Sequence, residues 1–140
     1  MLRMVRAFAP MLARNGGGAI ANMLSVVIWF VFPFNATYCA SKHAALALTG
    51  GVRIQLKSQG TQVVEVYAGF IDTDMAAGID RPKTSPQQVA ERSLQGLMAG
   101  IDHVHADARA VELWRALKTD SGQIMQHSQQ LWDATLAAKR

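Results

Sequence analysis

Residues 19–42 read AIANMLSVVIWFVFPFNATYCASK, and the fold turns on this stretch. Ala19 to Val27 is a short apolar run with β-branched members, the composition of a strand buried on both faces. Pro33 bars it from extending far as an inner strand. Asn35 or Thr37 then caps a helix that runs from Tyr38 to about Lys57 through Ala- and Leu-rich sequence, ending at Gly60. Strand, loop and helix follow one another within forty residues, as in one step of an α/β fold.

Outward from this step the same alternation continues. Leu2, Val5, Phe8, Ala9 and Leu12 recur at helical spacing, and Asn15-Gly16-Gly17-Gly18 stops that helix. Val63 to Tyr67 predicts a second buried strand, followed by a loop at Ala68-Gly69 and a turn-rich stretch through Pro82. Ser85 with Pro86 opens a third helix over about Gln87 to Ala99. His103 to Ala106 predicts a last short strand, and Ala108 to Lys118 and Gln123 to Ala138 read as helices. This order predicts a doubly wound parallel sheet with right-handed crossovers. Gly50-Gly51 lies in the middle of the second helix, where each glycine costs roughly 1 kcal/mol against alanine; close approach of another helix is one reason, tolerant packing the other.

Composition narrows the function. A chain of 140 residues, half of them apolar, is sized for one domain over 1–140. A single cysteine, Cys39, excludes an intrachain disulfide, has no obvious activating partner, and points to a reducing, cytoplasmic setting. The formal charge is +4, and Glu65 is the first acidic residue. Yet Arg3, Arg6, Arg14, Lys42, Arg53 and Lys57 form neither a basic run nor a nucleic-acid-binding motif, so they read as scattered solvated charges, Lys42 excepted. The greasiest stretch, Ile20 to Phe34, is shorter than a membrane span and contains Asn22, Ser25 and Pro33. Met1 to Arg14, acid-free and arginine-containing, reads as a surface helix in preference to a transit peptide.

Tyr38 and Lys42 stand four apart at the start of the predicted helix, so their side chains leave one face. A free phenol has a pKa of about 10; to exchange protons near neutrality it must come down by roughly three units, or about 4 kcal/mol. An ammonium about 4 Å away, at an effective dielectric near 20, attracts a phenolate by about that much. Ser25 lies at the C-terminal end of the predicted strand, where ligands gather in open parallel sheets. Its hydroxyl is placed to hold a substrate oxygen against the tyrosine.

With the serine, the Tyr-x-x-x-Lys and the segment Ala-Gly-Phe-Ile-Asp-Thr-Asp-Met at 68–75, the sequence resembles the short-chain dehydrogenase/reductase family over roughly Met1 to Met75, and more loosely from Gln87 to Lys118. The resemblance implies a Rossmann-like fold with its catalytic half at about 1–75 and a helix-strand-helix at about 76–140. It implies an NAD(P)-dependent oxidoreductase interconverting an alcohol and a carbonyl. Tyr38 is then the acid-base, Ser25 holds the reacting oxygen, and Lys42 lowers the tyrosine pKa and binds the nicotinamide ribose. Gly69, Ile71 and Thr73 face the nicotinamide, with the Ile71 backbone and the Thr73 hydroxyl reaching its carboxamide. A homo-oligomer through the helices at about 1–14 and 38–57 is expected as well.

The sequence departs from the family in three ways. A glycine-rich turn between a strand and a helix is absent, because Gly16 to Gly18 follow a helix and precede a strand. The Asn-Asn-Ala-Gly segment and the catalytic asparagine are missing too, which places Met1 after the family's first four strands; Ala68 replaces the usual proline. The expectation is a truncated product, with little cofactor binding or turnover as a lone chain and with the strand at Ala19 to Val27 left as an open edge. A non-catalytic pairing fragment is the alternative. NAD and NADP are not distinguished, since the residue that reads the ribose 2′ position belongs to the missing part.

His103, His105 and Asp107 alternate along an extended strand and would share one face, a spacing open to a metal, although no further ligand is apparent. His43 and His127 read as surface residues, Trp114 and Trp132 as packing. Trp29, Phe30, Phe32 and Phe34 read equally well as an apolar substrate pocket or as core. Met75 to Pro86 reads as a substrate lid or a plain connection.

Overall fold

The computed structural model describes residues 1–138. In chain order the elements are α1 (Leu2–Arg14), β1 (Gly18–Met23), α2 (Ala36–Leu56), β2 (Thr61–Tyr67), α3 (Pro86–Met98), β3 (His103–His105), α4 (Ala108–Thr119) and α5 (Ser121–Ala137). The strands form one parallel sheet in the order β1-β2-β3. Its register runs from Gly18↔Thr61 to Met23↔Val66 on one side of β2, and from Glu65↔His103 to Tyr67↔His105 on the other. The fold is α/β and Rossmann-like, as the alternating sequence predicts.

Two-residue alternation along β2 sends its side chains into two separate cores. Val63 packs with Val5 of α1 and Val52 of α2. Val64 and Val66 pack on the opposite face with Val89 of α3, Val104 and Ala106. Tyr67, on the first face, meets Ala110 and Leu113 of α4. Thus α1, α2 and α4 cover one face of the sheet and α3 the other. Because three parallel strands advance in one direction while α2 and α3 lie on opposite faces, their two crossovers have opposite hands. Right-handedness throughout, the expectation from the sequence, fails at one of them.

β1 is shorter than its apolar run. It ends at Met23, although Leu24 N–H still donates to Val66 O (2.8 Å) and Val26 N–H to Ala68 O (3.1 Å). Ser25 then caps a 3-10 turn over Val26–Ile28, its oxygen accepting from Val27 N–H at 3.4 Å. The apolar residues beyond Met23 thus serve a turn packed on the core. α2 in turn starts earlier than predicted, at Ala36, and neither Asn35 nor Thr37 caps it with a side chain: a 3-10 turn over Pro33–Asn35 leads straight in, and Thr37 lies inside the helix. The Ser85 cap does form, as a capping box with Gln88.

The glycine cluster before β1 has a packing reason. Gly17 has φ +122, and a Cβ there would collide with the Gly60 carbonyl across the β1–β2 start. At Gly50 and Gly51 a Cβ would meet nothing within 4 Å among the described residues, so close approach of another helix is not the reason for the pair.

Candidate active site

β1 and α2 bring Lys42 beside Tyr38 and the strand end, and Ser25 lies in the turn that follows β1. Met23 O, at the last residue of β1, accepts from Lys42 Nζ at 3.0 Å. The same ammonium lies 5.6 Å from the centre of the Tyr38 ring, one helical turn back. Lys42 is half-buried, and that burial lowers its pKa from the ordinary lysine value. Ser25 follows Met23 by two residues and is buried, at 6% exposure. Its oxygen accepts from Val27 N–H, which leaves the hydroxyl proton to be donated. Tyr38 and Lys42 therefore meet, and Ser25 lies in the turn just beyond the strand end to which Lys42 is bonded.

The loop after β2 begins next to the Ser25 turn, where Val26 N–H donates to Ala68 O at 3.1 Å. Gly69 N–H donates to Asp107 Oδ2 at 2.6 Å, and a Cβ on Gly69 would lie 3.1 Å from the Arg109 side chain. Ile71 forms a parallel bridge with Thr84 in which Asp72 N–H donates to Thr84 O and Thr84 N–H to Phe70 O, both at 2.9 Å. In that pattern the N–H and C=O of Ile71 itself point away from Thr84. Thr73 is exposed, its hydroxyl donating to Ile71 O at 3.3 Å. This bridge ties the start of the 75–86 segment to its end.

His103, His105 and Asp107 do not converge as a metal set. His103 Nδ1 lies 2.7 Å from Glu65 Oε2. His105 is held among the rings of Trp29, Tyr67 and Trp114, with centroids 5.2 to 5.6 Å from its own. Asp107, beyond the strand, caps α4 by accepting from Ala110 N–H at 2.7 Å. His43 and His127 are exposed. Of the aromatic run, Trp29 and Phe30 pack on the core, while Phe34 stacks at 5.7 Å on Trp132 of α5. Cys39 is buried, its sulfur facing the Phe32 backbone.

One expectation is overturned: Arg53 is not a solvated charge. Its Nη2 lies 3.0 Å from Glu65 Oε1, and its Nε donates to Val63 O at 2.8 Å. Glu65, 2% exposed, also accepts from the Tyr67 hydroxyl. Burial and the neighbouring Glu65 push the tyrosine pKa upward. The signal for this network was an acidic residue inside a buried valine strand, which demands a cation within reach.

The sequence of the chain matches the family profile for short chain dehydrogenases over residues 1–84. It is 41% identical over 73 residues to the NADPH-dependent 1-acyldihydroxyacetone phosphate reductase of Schizosaccharomyces pombe, covering 52% of this chain and 24% of that protein. It is 31% identical over 116 residues to the 1-deoxy-11-beta-hydroxypentalenate dehydrogenase of Streptomyces exfoliatus, covering 82% and 38%. The fold superimposes on a short chain dehydrogenase from Burkholderia cenocepacia solved in complex with NADP, with TM-score 0.81 and 38% identity over 86% of this chain and 52% of that one. The chain thus spans 24 to 38% of the length of these two curated relatives.

Proposed function

The chain belongs to the short chain dehydrogenase family, and from that membership we propose that it carries the proton-transfer part of an NAD(P)-dependent oxidoreductase that interconverts a small-molecule alcohol and its carbonyl. The observation that carries this reading is the Lys42 ammonium, 5.6 Å from the Tyr38 ring and anchored to Met23 O. Tyr38 is the general acid-base, passing its proton to the carbonyl oxygen during reduction and recovering it during oxidation. Ser25 donates its hydroxyl proton to the same oxygen and holds it against the phenol. Lys42 holds its ammonium beside the Tyr38 ring.

The donor set fits a nicotinamide. The Ile71 N–H, which the Thr84 bridge does not use, and the exposed Thr73 hydroxyl, which would exchange its bond to Ile71 O for one to the ligand, suit a carboxamide, and Lys42 suits ribose hydroxyls. When bound, the cofactor supplies or accepts the hydride. NAD and NADP both fit these residues, which lie at the nicotinamide end.

The chain spans only 24 to 38% of two curated relatives, and we expect it alone to show little dinucleotide affinity and negligible turnover. Among the described residues, none of the three strands runs through a glycine-rich turn into a helix. Pairing of two copies through α1 and α2 is supported by their exposed apolar side chains, Met4, Phe8, Met11, Leu48 and Ile54. The described residues contain no helix long and apolar enough to cross a membrane.

The test is a chimera in which this chain follows the N-terminal half of the Burkholderia cenocepacia dehydrogenase. NADPH-dependent reduction of a panel of ketones and aldehydes is expected. Tyr38→Phe should lower kcat by about 10²–10⁴-fold without loss of folding. A chimera that folds and binds NADPH but keeps its rate in Tyr38→Phe would overturn the reading.

A further inference from the structure

We propose that Asp107 is the positioning residue of the loop Gly69–Thr73, setting the geometry of the nicotinamide donors proposed above; the functional half of this inference rests on that reading. Asp107 is 1% exposed, yet among the described residues no cation pairs with it: the nearby Arg109 is bonded to Glu112 at 2.9 Å. Its two carboxylate oxygens do different work. Oδ1 accepts from Ala110 N–H at 2.7 Å, the ordinary cap of α4. Oδ2 accepts from Gly69 N–H at 2.6 Å, 38 residues away in sequence.

A cap alone needs one oxygen, and a serine or asparagine serves for that. The second oxygen fixes the first residue of the loop. Gly69 matches it: a side chain there would crowd Arg109 at 3.1 Å and Asp107 Oδ2 at 3.4 Å. The restraint reaches further back through Ala68, whose carbonyl accepts from Val26 N–H at 3.1 Å, directly after Ser25. One carboxylate thereby couples the end of β3, the loop after β2 and the turn that carries Ser25. A buried charge satisfied by short N–H bonds holds such a joint more firmly than a neutral acceptor would.

Asp107→Asn separates the two functions, because its amide oxygen keeps the α4 cap while its NH₂ is set against the Gly69 N–H. Hydrogen exchange and ¹⁵N–¹H spectra of the full 140-residue chain, without any cofactor, read both ends. We expect amides 69–73 to exchange at least tenfold faster and the Gly69 amide proton to move upfield, with Ala110 to Leu113 unchanged. Gly69→Ala should give the same pattern from the other side of the bond. Unchanged protection at 69–73, or equal loss at 69–73 and in α4, would overturn the proposal. In the chimera, Asp107→Asn should raise the KM for NADPH at least fivefold with a smaller change in kcat; an unchanged KM alongside a loosened loop would overturn the functional half. A chimera without NADPH-dependent activity defeats the enzymatic reading alone, and the exchange result still decides whether Asp107 holds the loop.

Discussion

Glu65 stands among valines in the middle strand, and its carboxylate is satisfied by Arg53, His103 and Tyr67 from three elements. Removing one partner of a buried pair leaves the other charge uncompensated, at a cost of about 3–5 kcal/mol. Arg53→Met should therefore destabilise the chain by about that amount in urea unfolding, and the double substitution Arg53→Met/Glu65→Gln should recover most of it. Equal stability of the single and double variants would refute the account. His105 gives a pH-dependent test. Burial, with His103 and Lys118 nearby, lowers its pKa from 6.5. Below pH 6.5 the unfolded chain then binds a proton that the folded chain resists, so stability falls as pH drops from 6.5 toward the folded value. Melting temperatures measured between pH 7.5 and 5 should show this decline, and His105→Phe should flatten it; an unchanged slope in the variant would place the effect elsewhere.

Helical glycines separate what the chain pattern reveals from what it conceals. Gly96 in α3 faces Val104 of β3, and a Cβ there would run into the valine methyl. Gly51 in α2 faces open space. Both look alike in sequence, as interruptions of a helix, because nothing local states what lies above a residue. Gly96→Ala should cost about 1–3 kcal/mol through overpacking, partly offset by helix propensity and relieved by Val104→Ala. Gly51→Ala should gain up to about 1 kcal/mol; thermal unfolding of the monomer reads both. The same division runs through the elements. Strand and helix types were legible from period and breakers, and Tyr38 with Lys42 from their spacing. The end of β1 at Met23 was not, because Ser25 turns the chain by accepting from Val27 N–H, and the opposite hands of the two crossovers were not, because they depend on which face of β2 carries Val64 and Val66. Asp107 was weighed as a ligand for a metal; its bond to Gly69 spans 38 residues and leaves no local trace.

At the scale of the molecule, β1 is an edge of the sheet, hydrogen-bonded only to β2 among the described residues. Beside it an apolar groove of about 560 Å³, lined by Met4, Phe8, Leu12, Ile20 and Met23 among others, opens between α1 and α2 and reaches Lys42. A free, apolar edge is a template for another strand. The exposed faces of α1 and α2 invite a different kind of association, and the two are separable by their stoichiometry. Helix faces related by a two-fold axis close on themselves as a dimer, whereas open strand edges permit continued addition. Ala21 is exposed on β1, and Ile54 on α2 is 79% exposed. Ala21→Lys should suppress open-ended growth in sedimentation velocity while leaving any dimer intact. Ile54→Lys should weaken the dimer and leave the larger species. If Ala21→Lys changes nothing while Ile54→Lys abolishes all association, the edge is covered by the chain's own packing in solution and the helices alone govern assembly.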